Sequence, residues 1–303
     1  MNSKNIIKAS KITAIALSTT LLFGCIYDRD SNAITDTTTD TTTDTDTTSF
    51  PATLDEFNFT SSSLANSGAT GETDLTQNGS QVITATINYD DVADTAINHD
   101  QGDSGTTTTV GNLKYSADPT KIDVGSLTSS FSLEAVIKVS DRTFTSDIDL
   151  IAYFEDDTNT VNYGGFKVYL EKTTTADTNL VKFKLYGTDS TNTDTSTIVT
   201  KNTEVKAVST LTVDVWQHIM AVYDADTDTA SLYIDGVLSN SVELEADKDL
   251  VYVTNPETSD DFTVLGGSSS SDKNFDGDVD NVATWNVALT ADQVSERAAE
   301  FGF

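Results

Sequence analysis

Beyond residue 50, apolar and polar residues alternate with a period of two through much of the chain. In Phe131-Ser132-Leu133-Glu134-Ala135-Val136-Ile137-Lys138-Val139, the residues Phe131, Leu133, Ala135, Ile137 and Val139 share one face. That is the mark of a strand with a core on one side. Phe166 to Glu171 and Leu180 to Tyr186 repeat the scheme in shorter runs. Trp216 to Tyr223 and Ala230 to Ile234 flank the polar run Asp224-Ala225-Asp226-Thr227-Asp228-Thr229, which predicts a hairpin. The single predicted helix runs from Thr290 to Phe301 and opens with Thr290 and Gln293 in capping-box spacing. Many short strands without βαβ alternation predict an all-β sandwich of two antiparallel sheets with one short C-terminal helix. No break in the pattern divides residues 52–303 into two domains.

The first residues follow a different logic. Lys4, Lys8 and Lys11 lead into an apolar stretch from Ile12 through Phe23, which ends in Leu22-Phe23-Gly24-Cys25. A basic start, a short apolar run and a small residue before the cut describe a secretory signal. The run is shorter than the roughly 20 apolar residues of a membrane span. The tetrad Leu-x-Gly-Cys resembles a bacterial lipobox, which implies removal of residues 1–24 and lipidation of Cys25. An ordinary signal peptide with a chance cysteine is the alternative. Ile26 stands where enteric-type lipoproteins kept at the inner membrane carry Asp, so the resemblance implies the outer membrane of a bacterial cell envelope. From Asp36 to Ser49 the chain contains only Thr, Asp and Ser. Nothing there can be buried and the acids repel one another, so residues 25–51 are expected to form a disordered tether.

Charge and composition narrow the function. The 48 acidic and 17 basic side chains give a net charge of −31. Nucleic acid is disfavoured, because phosphate binding needs Lys and Arg to displace counterions, and so is a polybasic attachment to anionic lipid. One cysteine removes disulfide scaffolds, zinc ribbons and CxxC redox chemistry. With only 2 histidines, a metal site would be built from oxygen ligands, which favours calcium.

Several segments resemble laminin-G-like domains of the concanavalin A-like class. Phe131-Ser132-Leu133-Glu134-Ala135 is similar to their FTIEAW strand, and Trp216 to Asp224 to their W-x-H-V-A-x-x-Y-D strand. Leu232-Tyr233-Ile234-Asp235-Gly236 resembles their LYVDG hairpin. Leu265-Gly266-Gly267, Phe275 to Val282 and Trp285-Asn286-Val287-Ala288-Leu289-Thr290 resemble the closing strand and the start of the final helix, in a form also similar to pentraxins. The likeness spans residues 113–303 and is looser over 52–112. Val136 stands where the family usually carries Trp. The resemblance implies a concanavalin A-like jelly roll.

That fold hosts lectins, adhesion modules, glucanases and lyases, so the chemistry has to come from a site. Glucanases of this fold carry Glu-x-Asp-x-x-Glu or Glu-x-Asp-x-Glu on one strand, because glycoside hydrolysis needs paired carboxylates. The nearest approach is Asp147-Ile148-Asp149, which lacks both glutamates. Gln217-His218-Ile219 resembles one lyase strand, but no Arg-x-Glu-x-Arg or Tyr-x-Lys partner accompanies it. His218 is expected to be structural, hydrogen-bonding a neighbouring strand, and His99 to be solvated in a polar loop. No catalytic residues are assigned.

A calcium loop is the sharpest chemical expectation. Asp272, Asn274 and Asp276 fill the first, third and fifth positions of an oxygen-rich loop, with Gly277 sixth and Asp280 ninth. The twelfth position, where a bidentate Glu belongs, is Ala283. Asp272, Asn274, Asp276, Asp278 and Asp280 are therefore candidate Ca2+ ligands. Alternatively the same segment is a structural strand with solvated acids, in which Asp276, Asp278 and Asp280 share one face. Asp156, Asp157 and Asn159 form a second acidic turn at a place where relatives often carry metal ligands, with an ordinary hairpin tip as the default reading. Asp224, Asp226 and Asp228 read as a hairpin tip, because turns recruit Asp for backbone reasons.

Glycan binding needs an aromatic platform beside polar groups. Tyr153, Tyr163 and Tyr169 surround Gly164-Gly165, with Phe144 and Tyr186 nearby in sequence. Tyr163 is the candidate sugar-stacking residue; the competing expectation is that these rings fill the space between the sheets. Trp216 and Trp285 are expected in the core. Taken together, the residues predict a lipid-anchored surface domain that binds a glycan, with calcium assistance. A protein-binding adhesion module and a polysaccharide-cleaving enzyme are the alternatives.

Overall fold

The alternation at Phe131–Val139 becomes a central strand, and the computed structural model builds the sandwich around it. It describes residues 50–69, 74–79, 82–100, 111–116, 129–140, 147–156, 163–171, 180–189, 200–208, 210–244, 248–249, 261–264 and 275–303, all in the unit Ser49–Phe303. Cys25, the tether up to Ser49, and Phe144, Asp157, Asn159, Asp272 and Asn274 lie outside the described residues.

The strands begin with β1 (Asp55–Phe57), β2 (Thr76–Gly79), β3 (Val82–Ile87), β4 (Ala93–Asp100) and β5 (Gly111–Ser116). Next come β6 (Phe131–Val139), β7 (Ile148–Asp156), β8 (Tyr163–Leu170), β9 (Val181–Asp189) and β10 (Thr200–Lys206). The last are β11 (Trp216–Asp224), β12 (Thr229–Ile234), β13 (Val237–Glu243), β14 (Lys248–Asp249), β15 (Asp261–Val264) and β16 (Gly277–Trp285). A helix, α1 (Ala291–Glu300), follows. The first eight-stranded sheet has the order β13-β12-β11-β6-β16-β4-β3, with β1 also on β16. The second, also eight-stranded, has the order β10-β9-β8-β7-β15-β5-β2, with β14 on β9. All described pairings are antiparallel.

The core lies where the two sheets face each other. Leu133, Ala135 and Ile137 of β6 and Ile219 and Ala221 of β11 point inward from the first sheet. Phe166 and Val168 of β8 and Phe183 and Leu185 of β9 meet them from the second. The Phe131 ring bridges the layers, 4.9 Å from Phe166 and 6.2 Å from Phe183 between centroids. Such a cluster of buried rings supplies much of the apolar area that drives folding.

The local signals act as their chemistry dictates. Thr290 caps α1: its hydroxyl accepts from the Gln293 N–H, and the Gln293 side chain accepts from the Thr290 N–H, closing the capping box. At the β11–β12 hairpin, Asp224 accepts from the Asp226 N–H at 3.0 Å and the Thr227 hydroxyl at 2.8 Å. Those acids serve the turn. Asp235 and Gly236 both have positive φ, 51° and 74°, as a tight two-residue hairpin between β12 and β13 requires. The folded part includes Phe50 and Pro51, which sequence alone places in the tether: Phe50 packs edge-on to Trp285, and the Trp285 indole donates to the Pro51 carbonyl at 3.2 Å.

Candidate functional site

Residues alternating with the core point away from it, so each sheet has an outer face. The two faces differ in what covers them. Over the first lies α1, whose Val294, with Leu289, packs on Met220, Val222, Tyr233, Ala283 and Trp285. Arg297 of α1 donates from Nε to Glu134 at 2.8 Å and from Nη2 to Glu56 at 2.8 Å. Asn281 donates to the other Glu134 oxygen at 2.8 Å. Burial alone would raise the Glu134 carboxyl; His218 and the directly bonded Arg297 lower it by more, so it sits below the ordinary carboxylate range. Glu134 and His218 are both fully buried.

His218 departs from expectation. Its backbone N–H donates to Asp235 at 2.9 Å, but neither ring nitrogen has a hydrogen-bond partner among the described residues. The ring stacks on Phe301 at 5.9 Å and has Phe303 at 6.2 Å, with Nε2 3.8 Å from Glu134. His218 is thus held by the C-terminal aromatics rather than by a ring hydrogen bond to a neighbouring strand.

The candidate calcium segment enters this same face. Phe275 and Val279 belong to the core, and Gly277 has φ 154° with a Cβ position that would collide with the Lys138 carbonyl. Asp278 is ion-paired with Lys138 and accepts from Asn98 at 2.6 Å. The register shifts between Val279 and Asn281, so Asp280 occupies a bulge that interrupts the simple alternation expected for Asp276, Asp278 and Asp280. Asp280 is pushed up to about 7, first by burial and then by the charges of Asp90 and Glu134. Among the described residues, no three or more His, Cys, Asp or Glu side chains are grouped to hold a metal ion.

The outer face of the second sheet has no described helix over it, and it gathers aromatic, basic and acidic side chains. Tyr169 of β8 and Tyr186 of β9 alternate with the core residues Val168, Leu170, Phe183 and Leu185, so they lie outside the inter-sheet space. Sequence alone left open that these rings fill the core, and for Tyr169 and Tyr186 the register decides against it. Lys167 lies 4.1 Å over the Tyr169 ring and Lys184 4.6 Å over that of Tyr186. The Tyr169 hydroxyl donates to Glu204 at 2.6 Å, and Lys182 bridges Glu204 at 2.7 Å and Glu171 at 2.9 Å. Lys206 also meets Glu171 at 2.9 Å, and Lys167 meets Asp149 at 3.3 Å. Burial raises Glu204, but the hydrogen bonds from Lys182 and Tyr169 outweigh it and hold the carboxylate low. Burial, then Glu204, keeps the Tyr169 phenol protonated well above its ordinary range.

Of the expected ligand-binding residues, Tyr163 opens β8 and its backbone pairs with Asp156 at the end of β7. Trp285 is buried, whereas Trp216 is only half-buried, with Lys138 5.2 Å from its ring. The lysines and Glu204 were missed by motif reading. Their signal was present in Val181-Lys182-Phe183-Lys184-Leu185-Tyr186, where every position on the non-core side is Lys or Tyr.

Comparison with known proteins places this architecture. No curated protein matches the sequence. Among solved structures, the botulinum neurotoxin serotype G binding domain superposes with a TM-score of 0.54 at 13% identity, covering 82% of this chain and 51% of that one. The binding domain of botulinum neurotoxin DC in complex with SialylT gives 0.52 at 9% identity, covering 83% and 52%. Domain 4 of AbnA, an extracellular GH43 arabinanase from Geobacillus stearothermophilus, in complex with arabinotriose, gives 0.50 at 15% identity, covering 82% and 98%. The chain spans about half the length of the toxin structures, and at identities this low the superposition shows a common fold alone. Residues 111–295 match the family described as the concanavalin A-like lectin/glucanases superfamily, and the chain belongs to it.

Proposed function

We propose that this chain is a carbohydrate-binding protein of the cell envelope that receives its ligand on the outer face of the second sheet. The observation that carries the reading is the lattice of Tyr169, Tyr186, Lys182 and Glu204 on a face free of the helix that covers the opposite sheet. Sugars are bound by fixed donors and acceptors, and this face supplies them in the Lys182 ammonium and the Glu204 carboxylate, which the buried Tyr169 holds in place through its hydroxyl. Two of the solved structures of the same fold hold arabinotriose or SialylT, which supports a glycan as the ligand class. The reading includes a lipid anchor at Cys25, with the domain carried on the Thr/Asp-rich tether. Palmitate labelling that disappears in Cys25→Ala tests the anchor.

Binding of the full chain to a glycan array, repeated with Glu204→Gln, tests the ligand. Binding that weakens in the variant while the unfolding midpoint stays within a few degrees supports the assignment. Binding unaffected by Glu204→Gln removes this face from it. A protein-binding adhesion module is the second reading, favoured by the exposed Val208, Val237 and Leu238. Val208 and the strand carrying the other two are joined by the bond from the Val208 N–H to Ser239 at 3.0 Å. A chain that ignores every glycan yet binds cells in a way abolished by Val237→Asp would favour that reading.

A further inference from the structure

The lysines of the second outer face are not equivalent. Lys182 is shared by Glu171 and Glu204, Lys206 is held by Glu171, and Lys167 by Asp149. Lys184 has no ion pair among the described residues; its ammonium lies over the Tyr186 ring. Burial, then the positive charge of Lys167, pushes the Lys184 ammonium below its ordinary range, and the charges of Glu204 and Asp147 offset only part of this. In a chain of net charge −31, this ammonium is locally short of negative charge. Acids elsewhere on the surface are largely screened beyond about 8 Å at physiological salt. They therefore do not bar an anion from this spot.

We propose that Lys184 is the counter-ion for the anionic group of an acidic sugar, a carboxylate or a sulfate, bound on the outer face of the second sheet. This rests on the glycan reading and deepens it from a fold-level ligand class to a charged one. Tyr186 holds the ammonium in place, so little side-chain freedom is lost when the anion arrives. Lys167 adds a second positive charge, partly spent on Asp149. The neighbouring Glu171 and Glu204 are already ion-paired with Lys182 and Lys206, which offsets much of their charge.

The full chain is tested on neutral oligosaccharides printed beside their uronate, sialate and sulfate counterparts, including oligogalacturonate and its methyl ester, in which a methyl group on each carboxyl removes the charge. The expected result is a preference of about tenfold for an acidic form that fades as salt rises. Lys184→Gln should abolish that preference, so that acidic and neutral forms bind about equally. Lys206→Gln, whose ammonium is tied to Glu171, should keep it. Whether uronate and sialate or only sulfate gain identifies the anion. Equal affinity for charged and neutral forms, or a preference that survives Lys184→Gln, overturns the inference and leaves the glycan reading standing. Competition by free acetate or sulfate at the same concentration as the acidic sugar overturns the sugar as the anion's carrier. Failure to bind any printed glycan removes both.

Discussion

The two outer faces of the sandwich carry similar side chains in opposite states. On the first, Glu134 and Arg297 lie beneath or within α1, with Glu134 fully buried and both its oxygens hydrogen-bonded. On the second, Lys182, Lys206, Glu171 and Glu204 form a comparable network at the edge of solvent. Removing ions from water is costly, so a buried pair endures only with complete partners, and it locks whatever holds those partners together. A solvated network contributes little to stability, and its groups can exchange partners with a ligand. The alternation that builds the core is the same in both sheets. What covers the other side decides whether polar residues become structural or available.

The sharpest way to break this contrast is to remove one partner from each network. Arg297→Ala leaves the Glu134 charge buried with Asn281 as its remaining close donor and should cost about 3–5 kcal/mol in urea unfolding. Replacing both, as Glu134→Leu with Arg297→Met, should cost less than the single change, because no charge is stranded. A loss below about 1 kcal/mol for Arg297→Ala would show that the sealed face is no more structural than the open one.

Asp280 gives the next largest effect, and it runs opposite to ordinary acid denaturation. Its folded pKa, about 7, lies above the ordinary value of 3.8. Between those values the native state holds a proton that the unfolded chain has released. The contribution of this group is therefore fully present below the ordinary value and is lost as pH rises through about 7. Asp280→Asn should be more stable than the parent by about 4 kcal/mol at pH 8, the gap closing as pH falls toward 4. Thermal unfolding at several pH values reads it, and a gap that does not change with pH would place Asp280 in water.

How much of this was legible depends on whether the signal was local. The strand at Phe131–Val139, the Asp224–Thr229 turn and the Thr290 cap follow from alternation, turn chemistry and hydrogen bonds within a few residues, and the structure forms each of them. The environment of His218 was not legible, because its ring meets Phe301 and Phe303, more than 80 residues away in sequence. Nor was the pairing of Asp278 with Lys138, which needs the β6–β16 register. The lysine–tyrosine face lay between: its alternation was in plain view, but which side of the strand faced the core needed both sheets. Motif reading pointed to acids, where a chain this acidic offers many, whereas the structure draws attention to its scarcer cations.

On the open face, Tyr169→Phe deletes the hydroxyl that donates to Glu204 at 2.6 Å. Lys182 still holds that carboxylate, so no charge is stranded, and the loss should be about 1–2 kcal/mol. Removal of Lys206, the more exposed partner, should cost under about 1 kcal/mol. If Tyr169→Phe cost as much as Arg297→Ala, the second face would be structural too, and glycan binding would need another location.

The smallest expected effect concerns calcium at the segment Asp272–Asp280. A ligand that binds only the native state raises stability by RT ln(1 + [L]/Kd), so a filled site at millimolar calcium moves the unfolding midpoint by several degrees. Among the acids described there, Asp278 already has Lys138 and Asn98, and Asp280 is shifted toward its neutral form near pH 7. Taking either as a ligand means breaking an ion pair or expelling a proton. Calcium added after EDTA at pH 7 should therefore move the midpoint by no more than about a degree. A larger rise that disappears in Asp276→Ala would establish the loop as a metal site. It would also reverse the comparison, because the face beneath the helix would then carry a ligand as well.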